Sequence, residues 1–215
     1  MSKNILNLQY SGANSLLQFI NLALKDKIIE KKDLNSLLEI GPGDFPVLSK
    51  FKETFNLKHN CSFIDKRKLK NKDFDFICND FLTYKFSKIF DLILDGHVLH
   101  TLKDKEEYTT YLKRVYNLLN KNGYFILETM VLHENMSFDD HELYFDYDKG
   151  LLFKNSKQIR VIFSVNEIES LLNQIGFKII YLYLPKGFKM IPFDGRDNAL
   201  PRDPDLLRVI CQKVI

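Results

Sequence analysis

The stretch that decides the fold is Leu37-Leu38-Glu39-Ile40-Gly41-Pro42-Gly43-Asp44-Phe45, in which an apolar run breaks into a turn with two glycines. Residues 45–55 continue with helical spacing, which predicts a strand, a tight turn and a helix. Glycine lets backbone approach a ligand closely, and open α/β sheets bind ligands where their strands end. The stretch therefore favours a ligand-binding turn, although a lone Gly-x-Gly is equally typical of an ordinary strand-to-helix connection.

Short apolar runs alternate with amphipathic helices along the rest of the chain. The predicted strands are 34–40, 61–65, 75–78, 90–95, 124–132, 177–184 and 206–214. The predicted helices are 45–55, 104–119 and 165–175. This alternation predicts a mostly parallel sheet with helices on both faces. A polar loop without a helix separates the last two strands, which permits an antiparallel hairpin at the sheet edge.

Two segments lie outside this alternation. Apolar residues at helical spacing predict a helix within residues 1–33, which we interpret as an N-terminal cap before a domain spanning residues 34–215. We expect residues 10–29 to fold over the ligand pocket as a lid. Residues 133–163 show no clear period, and a hairpin is predicted only around Asp148-Lys149-Gly150.

Composition describes one ordinary globular domain with a net charge of only +3. The basic run 66–70 adjoins acidic residues, so a solvated turn is favoured over a nucleic-acid patch, and no nucleic-acid partner is expected. The three cysteines lack CxxC spacing, and Met1–Asn4 lack the pattern of a secretory signal. Charges interrupt every apolar stretch, so we expect a cytoplasmic protein without a membrane partner.

Acidic residues end two further strands of the predicted sheet. Asp65 ends the second strand, 22 positions after Gly43, where a carboxylate can accept both hydroxyls of a ribose. Asn79-Asp80 follows the third strand, where a carboxylate can accept from the exocyclic amine of adenine. Each acid taken alone is equally explained as a loop cap, but three strand ends with suitable groups favour a nucleoside site.

With these residues in place, the chain resembles the class I S-adenosylmethionine-dependent methyltransferase family. The motifs that carry the resemblance are Glu39–Gly43, Asp65, Asn79-Asp80-Phe81, 90–102 and 118–128, and they cover roughly residues 34–184. The resemblance implies a Rossmann-like seven-stranded sheet with the last strand inserted antiparallel, and S-adenosylmethionine as cofactor. Phe45 stands where the family has a third glycine.

The same resemblance implies a role for each matched residue. The expected cofactor-binding set is Glu39, Gly41, Pro42 and Gly43 at the methionine moiety, Asp65 at the ribose, Asn79 and Asp80 at the adenine, and Asp95 and Gly96 beside the sulfonium. His97 follows directly and is our candidate general base, with His100 as a reserve that alternatively only holds the turn. A metal site is an alternative interpretation of the residues Asp95, His97 and His100 together with Glu128 and His133. Their spacing matches no closed set of metal ligands, and no metal is predicted.

Within this family, the residues after the fourth strand bear on the acceptor. They lack both the Asn/Asp-Pro-Pro-aromatic motif of amine-modifying DNA enzymes and a Pro-Cys nucleophile. We therefore expect methyl transfer to an oxygen or nitrogen of a small molecule or peptide side chain. The alternatives are a catalytically inactive regulatory or partner subunit that retains the pocket and, less favoured, a nicotinamide dehydrogenase.

Overall fold

The computed structural model describes residues 13–30, 34–55, 60–68, 75–134, 136, 143–192 and 198–214. Its helices are α1 (Ala13–Lys25), α2 (Val47–Phe55), α3 (Lys105–Leu118) and α4 (Val165–Ile175). Its strands are β1 (Ser36–Ile40), β2 (Asn60–Asp65), β3 (Asp75–Cys78), β4 (Phe90–Asp95), β5 (Leu119–Val131), β6 (Leu143–Asp146), β7 (Leu151–Lys154), β8 (Lys157–Val161), β9 (Phe177–Tyr183) and β10 (Asp205–Lys213).

Seven of these strands form one sheet in the order β3-β2-β1-β4-β5-β10-β9. The first five are parallel, and β10 is inserted antiparallel between β5 and β9. Ile40 pairs with Ile64 on one side and Asp95 on the other, so β1, β2 and β4 end at the same level. The expected Rossmann-like sheet and its inserted last strand are confirmed, and three strand ends meet at one edge.

Helices cover both faces of the sheet, as predicted. Helices α1 and α2 share one apolar core with the sheet, and α3 and α4 share the other. Helix α3 begins as expected, because Asp104 Oδ1 accepts from the backbone N–H of Glu107 at 2.8 Å. Ser164 and Glu167 form the predicted reciprocal capping box of α4, which ends at Gly176.

Helix α1 is present, but it lies on the face of the sheet rather than over the pocket. Its inward side chains are almost fully buried against α2 and the strands, namely Leu16, Phe19, Ile20 and Ala23. The expectation of a lid is therefore corrected for Ala13–Lys25, because the apolar stripe packs against the sheet instead. The earlier part of the expected lid, residues 10–12, lies outside the described residues.

A small antiparallel sheet, β6-β7-β8, occupies the segment for which only a hairpin was predicted. Its third strand is bonded to the turn that follows β4. Arg160 Nη1 donates to the carbonyl of His100 at 3.1 Å, and Val161 N donates to the carbonyl of Leu102 at 3.0 Å. The small sheet thus supports one side of the carboxyl edge.

None of the helices within the described ranges is both long and apolar enough to cross a lipid bilayer.

Candidate active site

Two turns meet at the carboxyl edge with their backbones in contact. Gly41 has φ +69°, which favours glycine, and its N–H donates to the carbonyl of Ile64 at 2.7 Å. The N–H of Gly96 donates to the carbonyl of Ile40, also at 2.7 Å. A Cβ on Gly96 would lie 2.5 Å from the carbonyl oxygen of Gly41, so only glycine permits this approach.

A cavity of about 520 Å³ opens beside these turns. Its volume lies within the range of small-molecule sites. The cavity brings together six of the residues predicted from the sequence, namely Gly41, Asp65, Asn79, Asp80, Gly96 and His97. Apolar side chains form other parts of its wall, namely Ile40, Ile64, Phe81, Leu82, Val98 and Leu102. The cavity therefore combines carboxylates with apolar surface and bare backbone.

Asp65 is fixed by its own loop and by the glycine turn. Its Oδ1 accepts from the backbone N–H of Arg67 at 2.9 Å, and its Oδ2 accepts from the backbone N–H of Gly43 at 3.3 Å. The acid at the end of β2 is thus linked directly to the turn after β1. Gly43 itself does not line the cavity, and Pro42 is buried within the turn.

Asp80 is held in a similar way at the end of β3. Its Oδ1 accepts from the backbone N–H of Leu82 at 2.9 Å, while Asn79 Oδ1 accepts from the backbone N–H of Asp80 at 2.8 Å. Its Oδ2 pairs with Lys66 Nζ at 3.0 Å. Because the Lys66 side chain is two-thirds exposed, this ion pair is weak and easily exchanged for another partner. Lys66, the first residue of the basic run, therefore lies at the cavity.

Glu39 is fully buried and holds the start of α2. Its two carboxylate oxygens accept from the backbone N–H groups of Val47 and Leu48 at 2.9 and 2.8 Å. Burial raises the pKa of Glu39 to about 7, although both N–H groups favour its charged form. Glu39 does not line the cavity but fixes the helix to the end of β1.

Asp95 is also fully buried and holds the turn after β4. Its carboxylate accepts from the N–H groups of Val98 and Leu99 at 2.6 and 3.0 Å and from the hydroxyl of Tyr111 at 2.7 Å. Burial raises its pKa. Because these donors surround the carboxylate, Asp95 faces the protein, and its neighbour Gly96 lines the cavity instead.

His97 lines the cavity and lies beside a buried carboxylate. Its backbone has φ +71°, an uncommon conformation for a residue with a side chain. Its ring Nε2 lies 3.2 Å from Glu128 Oε2, and Glu128 Oε1 accepts from Arg208 Nε and Ser15 Oγ, each at 2.8 Å. Sequence reasoning considered Glu128 only as a metal ligand and missed Arg208 and Ser15. No local signal joins these residues, since they come from α1, β5 and β10.

His100 is buried and does not line the cavity. Burial, reinforced by the nearby charge of Arg160, lowers its pKa well below the ordinary value, so the imidazole is neutral at pH 7. Of the two candidate histidines, the structure brings only His97 to the cavity. In the described part of the chain, no three His, Cys, Asp or Glu side chains are grouped to hold a metal ion.

The fold is a Rossmann-like sheet with an inserted antiparallel strand. Its cavity combines a glycine turn after β1 with acids at the ends of β2 and β3, an arrangement typical of nucleoside-binding α/β proteins. A family sequence model described as a methyltransferase domain matches residues 10–182. The chain therefore belongs to the family of class I S-adenosylmethionine-dependent methyltransferases. The chain is accordingly an enzyme that uses S-adenosylmethionine. The resemblance stated from the sequence is confirmed.

Solved structures share the fold at low identity. A Clostridium acetobutylicum S-adenosylmethionine-dependent methyltransferase is 14% identical with a TM-score of 0.65, covering 97% of this chain and 94% of that chain. The 1,6-didemethyltoxoflavin-N1-methyltransferase of Burkholderia thailandensis, solved with 1,6-didemethyltoxoflavin and S-adenosylhomocysteine, is 15% identical with a TM-score of 0.63, covering 99% and 82%. The N-methyltransferase NodS of Bradyrhizobium japonicum, solved with S-adenosylhomocysteine, is 14% identical with a TM-score of 0.58, covering 93% and 86%. No curated protein matches the sequence.

Proposed function

We propose that the enzyme transfers the methyl group of S-adenosylmethionine to an oxygen or nitrogen atom of a small molecule or a peptide side chain. The observation that carries this proposal is the position of His97, whose imidazole lines the same cavity as Gly41, Asp65 and Asp80. A proton acceptor therefore lies beside the groups that suit a nucleoside. Two of the solved neighbours have N-methyltransferase in their names, which supports a nitrogen acceptor as one of the two options.

The cavity residues fit S-adenosylmethionine. Asp65 would accept from the ribose hydroxyls, and Asp80, with Asn79 fixing its backbone, would accept from the adenine amine. Gly41 and Gly96, which line the same cavity, would lie beside the methionine moiety. In this proposal the cations beside Asp65 and Asp80, Arg67 and Lys66, move aside when the nucleoside binds, at little cost because both side chains are exposed.

The remaining predicted residues act from behind the cavity. Glu39 and Asp95 position the ends of β1 and β4 through buried hydrogen bonds. Pro42 and Gly43 shape the turn, and Gly43 steadies Asp65. His100 holds the turn after β4 rather than serving as a base.

S-adenosylmethionine, when bound, supplies a methyl group on a sulfonium and leaves as S-adenosylhomocysteine. The protein therefore contributes mainly proximity and alignment. His97 would accept the proton of a hydroxyl or of a protonated amine and so free the lone pair on oxygen or nitrogen that bonds to the methyl carbon, a contribution of about 10² to 10⁴ in rate.

The test measures binding and turnover separately. Calorimetry with S-adenosylhomocysteine should show that Asp65→Ala weakens binding by about 1 to 3 kcal/mol, through lost charge-assisted hydrogen bonds, while circular dichroism is unchanged. Unchanged affinity in the folded variant would remove Asp65 from the site.

Turnover is followed as S-adenosylhomocysteine release with fractionated small-molecule and peptide extracts. Fractions that support release should yield methyl ethers, methyl esters or N-methyl products by mass spectrometry. Products methylated on carbon or sulfur would contradict the proposal. Tight binding without release in any fraction would favour the inactive regulatory subunit.

A further inference from the structure

Glu128 is a fully buried carboxylate at the junction of four separate parts of the fold. It lies on β5, and its carboxylate contacts the side chains of Ser15 of α1, Arg208 of β10 and His97 of the turn after β4. A buried carboxylate is stable only when donors surround it. Here the donors satisfy both oxygens, with two of them on Oε1 and the histidine ring on Oε2.

Arg208 is itself fixed tightly in this junction. Beyond its bond to Glu128, its Nη2 donates to Ser15 Oγ at 2.9 Å and to the carbonyl of Ser15 at 3.3 Å. Its guanidinium also lies 5.2 Å from the ring centre of Phe19 and 5.7 Å from that of Phe188. The cation is therefore held in one place, and it holds Glu128 in turn.

This junction decides which nitrogen of His97 carries the proton. An ionised carboxylate only accepts hydrogen bonds, so the nitrogen next to Glu128 Oε2 must be the donor, Nε2–H. In the neutral ring the lone pair then lies on Nδ1. Among the residues that the structure describes, none donates to or accepts from Nδ1.

We infer that Glu128, anchored by Arg208 and Ser15, is a positioning residue that fixes His97 in the Nε2–H tautomer and leaves Nδ1 to accept the acceptor's proton. This inference rests on the proposed function for the use of Nδ1, but the tautomer itself is independent of it. The proton that the acceptor loses appears on Nδ1, and the Nε2–H of the resulting imidazolium stays bonded to Glu128.

The backbone of His97 supports a role in positioning. Its φ of +71° places the residue in the left-handed region. This conformation costs energy for any residue with a side chain, whereas glycine adopts it without that cost. Asn tolerates this conformation well, so His97→Asn is a matched variant that keeps the backbone and a donor but removes the base.

The ring is surrounded by several charged or titratable groups besides Glu128. Glu39 and Asp95 act on it from the ends of β1 and β4, and the ring of His100 lies 5.8 Å away. Arg208 lies behind Glu128. Of these groups, Glu128 is the one that the described contacts place within hydrogen-bond distance of a ring nitrogen, so its loss should act on the tautomer of His97.

The decisive experiment is nitrogen NMR of the imidazole rings in the free enzyme, from about pH 5 to about pH 9. The chain has five histidines, so the signal lost in His97→Asn assigns His97. We expect Nε2 to carry the proton at high pH in the unmodified enzyme. In Glu128→Gln the tautomers should mix, because an amide can either donate to or accept from Nε2.

Asp91→Asn is the matched control, because Asp91 also accepts three hydrogen bonds, at the opposite end of β4. It should leave the His97 signals unchanged. A proton on Nδ1 in the unmodified enzyme overturns the inference even if Glu128→Gln fails to fold. Unaltered His97 signals in a folded Glu128→Gln protein overturn it as well.

Once an acceptor is known, Glu128→Gln should lower single-turnover transfer about 10²-fold with little change in S-adenosylhomocysteine affinity. Combining it with His97→Asn should give the rate of His97→Asn alone, because Glu128 acts through His97. Additive losses would overturn the positioning role. Failure of the proposed function would instead appear as the absence of oxygen or nitrogen methylation, whatever the NMR shows.

Discussion

Glu39 and Glu128 are both fully buried, yet their partners give them different tasks. Glu128 faces a guanidinium, a hydroxyl and an imidazole, whereas Glu39 accepts from two backbone N–H groups of α2. Among the residues that the structure describes, no cation contacts Glu39 directly to offset its burial, and its pKa rises to about 7. A carboxyl that binds a proton near neutral pH makes stability depend on pH.

The sign of this dependence follows from the two pKa values of Glu39. Between its ordinary value of 4.5 and about 7, the folded protein retains a proton that the unfolded chain has lost. The contribution of that proton is full below the lower value and disappears as pH rises through the upper one, a change of about 3 kcal/mol. Urea unfolding should show wild type losing this amount relative to Glu39→Gln between about pH 4.5 and about pH 7. Parallel pH profiles of the two proteins would contradict the shifted pKa.

The turns after β1 and β4 pack backbone against backbone at Gly41 and Gly96. Whether each glycine tolerates a side chain depends on whether the added Cβ meets backbone atoms or a side chain that can move. A Cβ on Gly96 meets the carbonyl oxygens of Gly41 and Ile40 at 2.5 and 2.8 Å, which cannot rotate away. A Cβ on Gly41 meets mainly the side chain of Val98, at 2.1 Å from Cγ2.

Gly96→Ala should therefore destabilise the enzyme by about 1 to 3 kcal/mol and weaken S-adenosylhomocysteine binding, and adding Val98→Ala should rescue neither. Val98→Ala should partly rescue Gly41→Ala, with the strain of φ +69° remaining. Unfolding and calorimetry on the four variants check this. Equal rescue of both glycine variants would show that the backbone contact is not the cause.

Elements with a strong local pattern were predictable from the sequence. Ser164 with Glu167 marked the start of α4, and the apolar stripe marked α3, because caps and helical periodicity are local properties. The small sheet β6-β7-β8 was predicted only as a hairpin. Its strands are four or five residues long, and β6 (Leu143–Asp146) and β7 (Leu151–Lys154) each begin with three consecutive apolar or aromatic residues, so apolar and polar residues do not alternate along them in the sequence.

The cavity was predictable from the positions of its residues at strand ends, whereas the junction at Glu128 was not predictable from the sequence. Gly41 directly follows β1, Asp65 ends β2 and Asp80 lies two residues after β3, and the carboxyl ends of parallel strands share an edge. Arg208 and Ser15 lie 80 and 113 residues from Glu128. Only the antiparallel insertion of β10 and the packing of α1 bring them together, and no spacing in the sequence encodes that contact.

The position of α1 decides whether residues 1–33 behave as a separate cap, as the sequence suggested. Leu16 is fully buried in the core that α1 shares with α2 and the sheet, whereas Leu22 on the same helix is 36% exposed. Leu16→Ala should lower the global unfolding free energy by about 2 to 5 kcal/mol through the cavity that it leaves.

Leu22→Ala, the matched control, should change the unfolding free energy by less than about 0.5 kcal/mol. Circular dichroism and tyrosine fluorescence should report one coincident transition in both variants, since α1 and the sheet unfold together. A separate early transition that shifts in Leu16→Ala while the main one stays in place would show an independent cap. The coupling matters for catalysis as well, because the helix that completes this core also places Ser15 against Glu128.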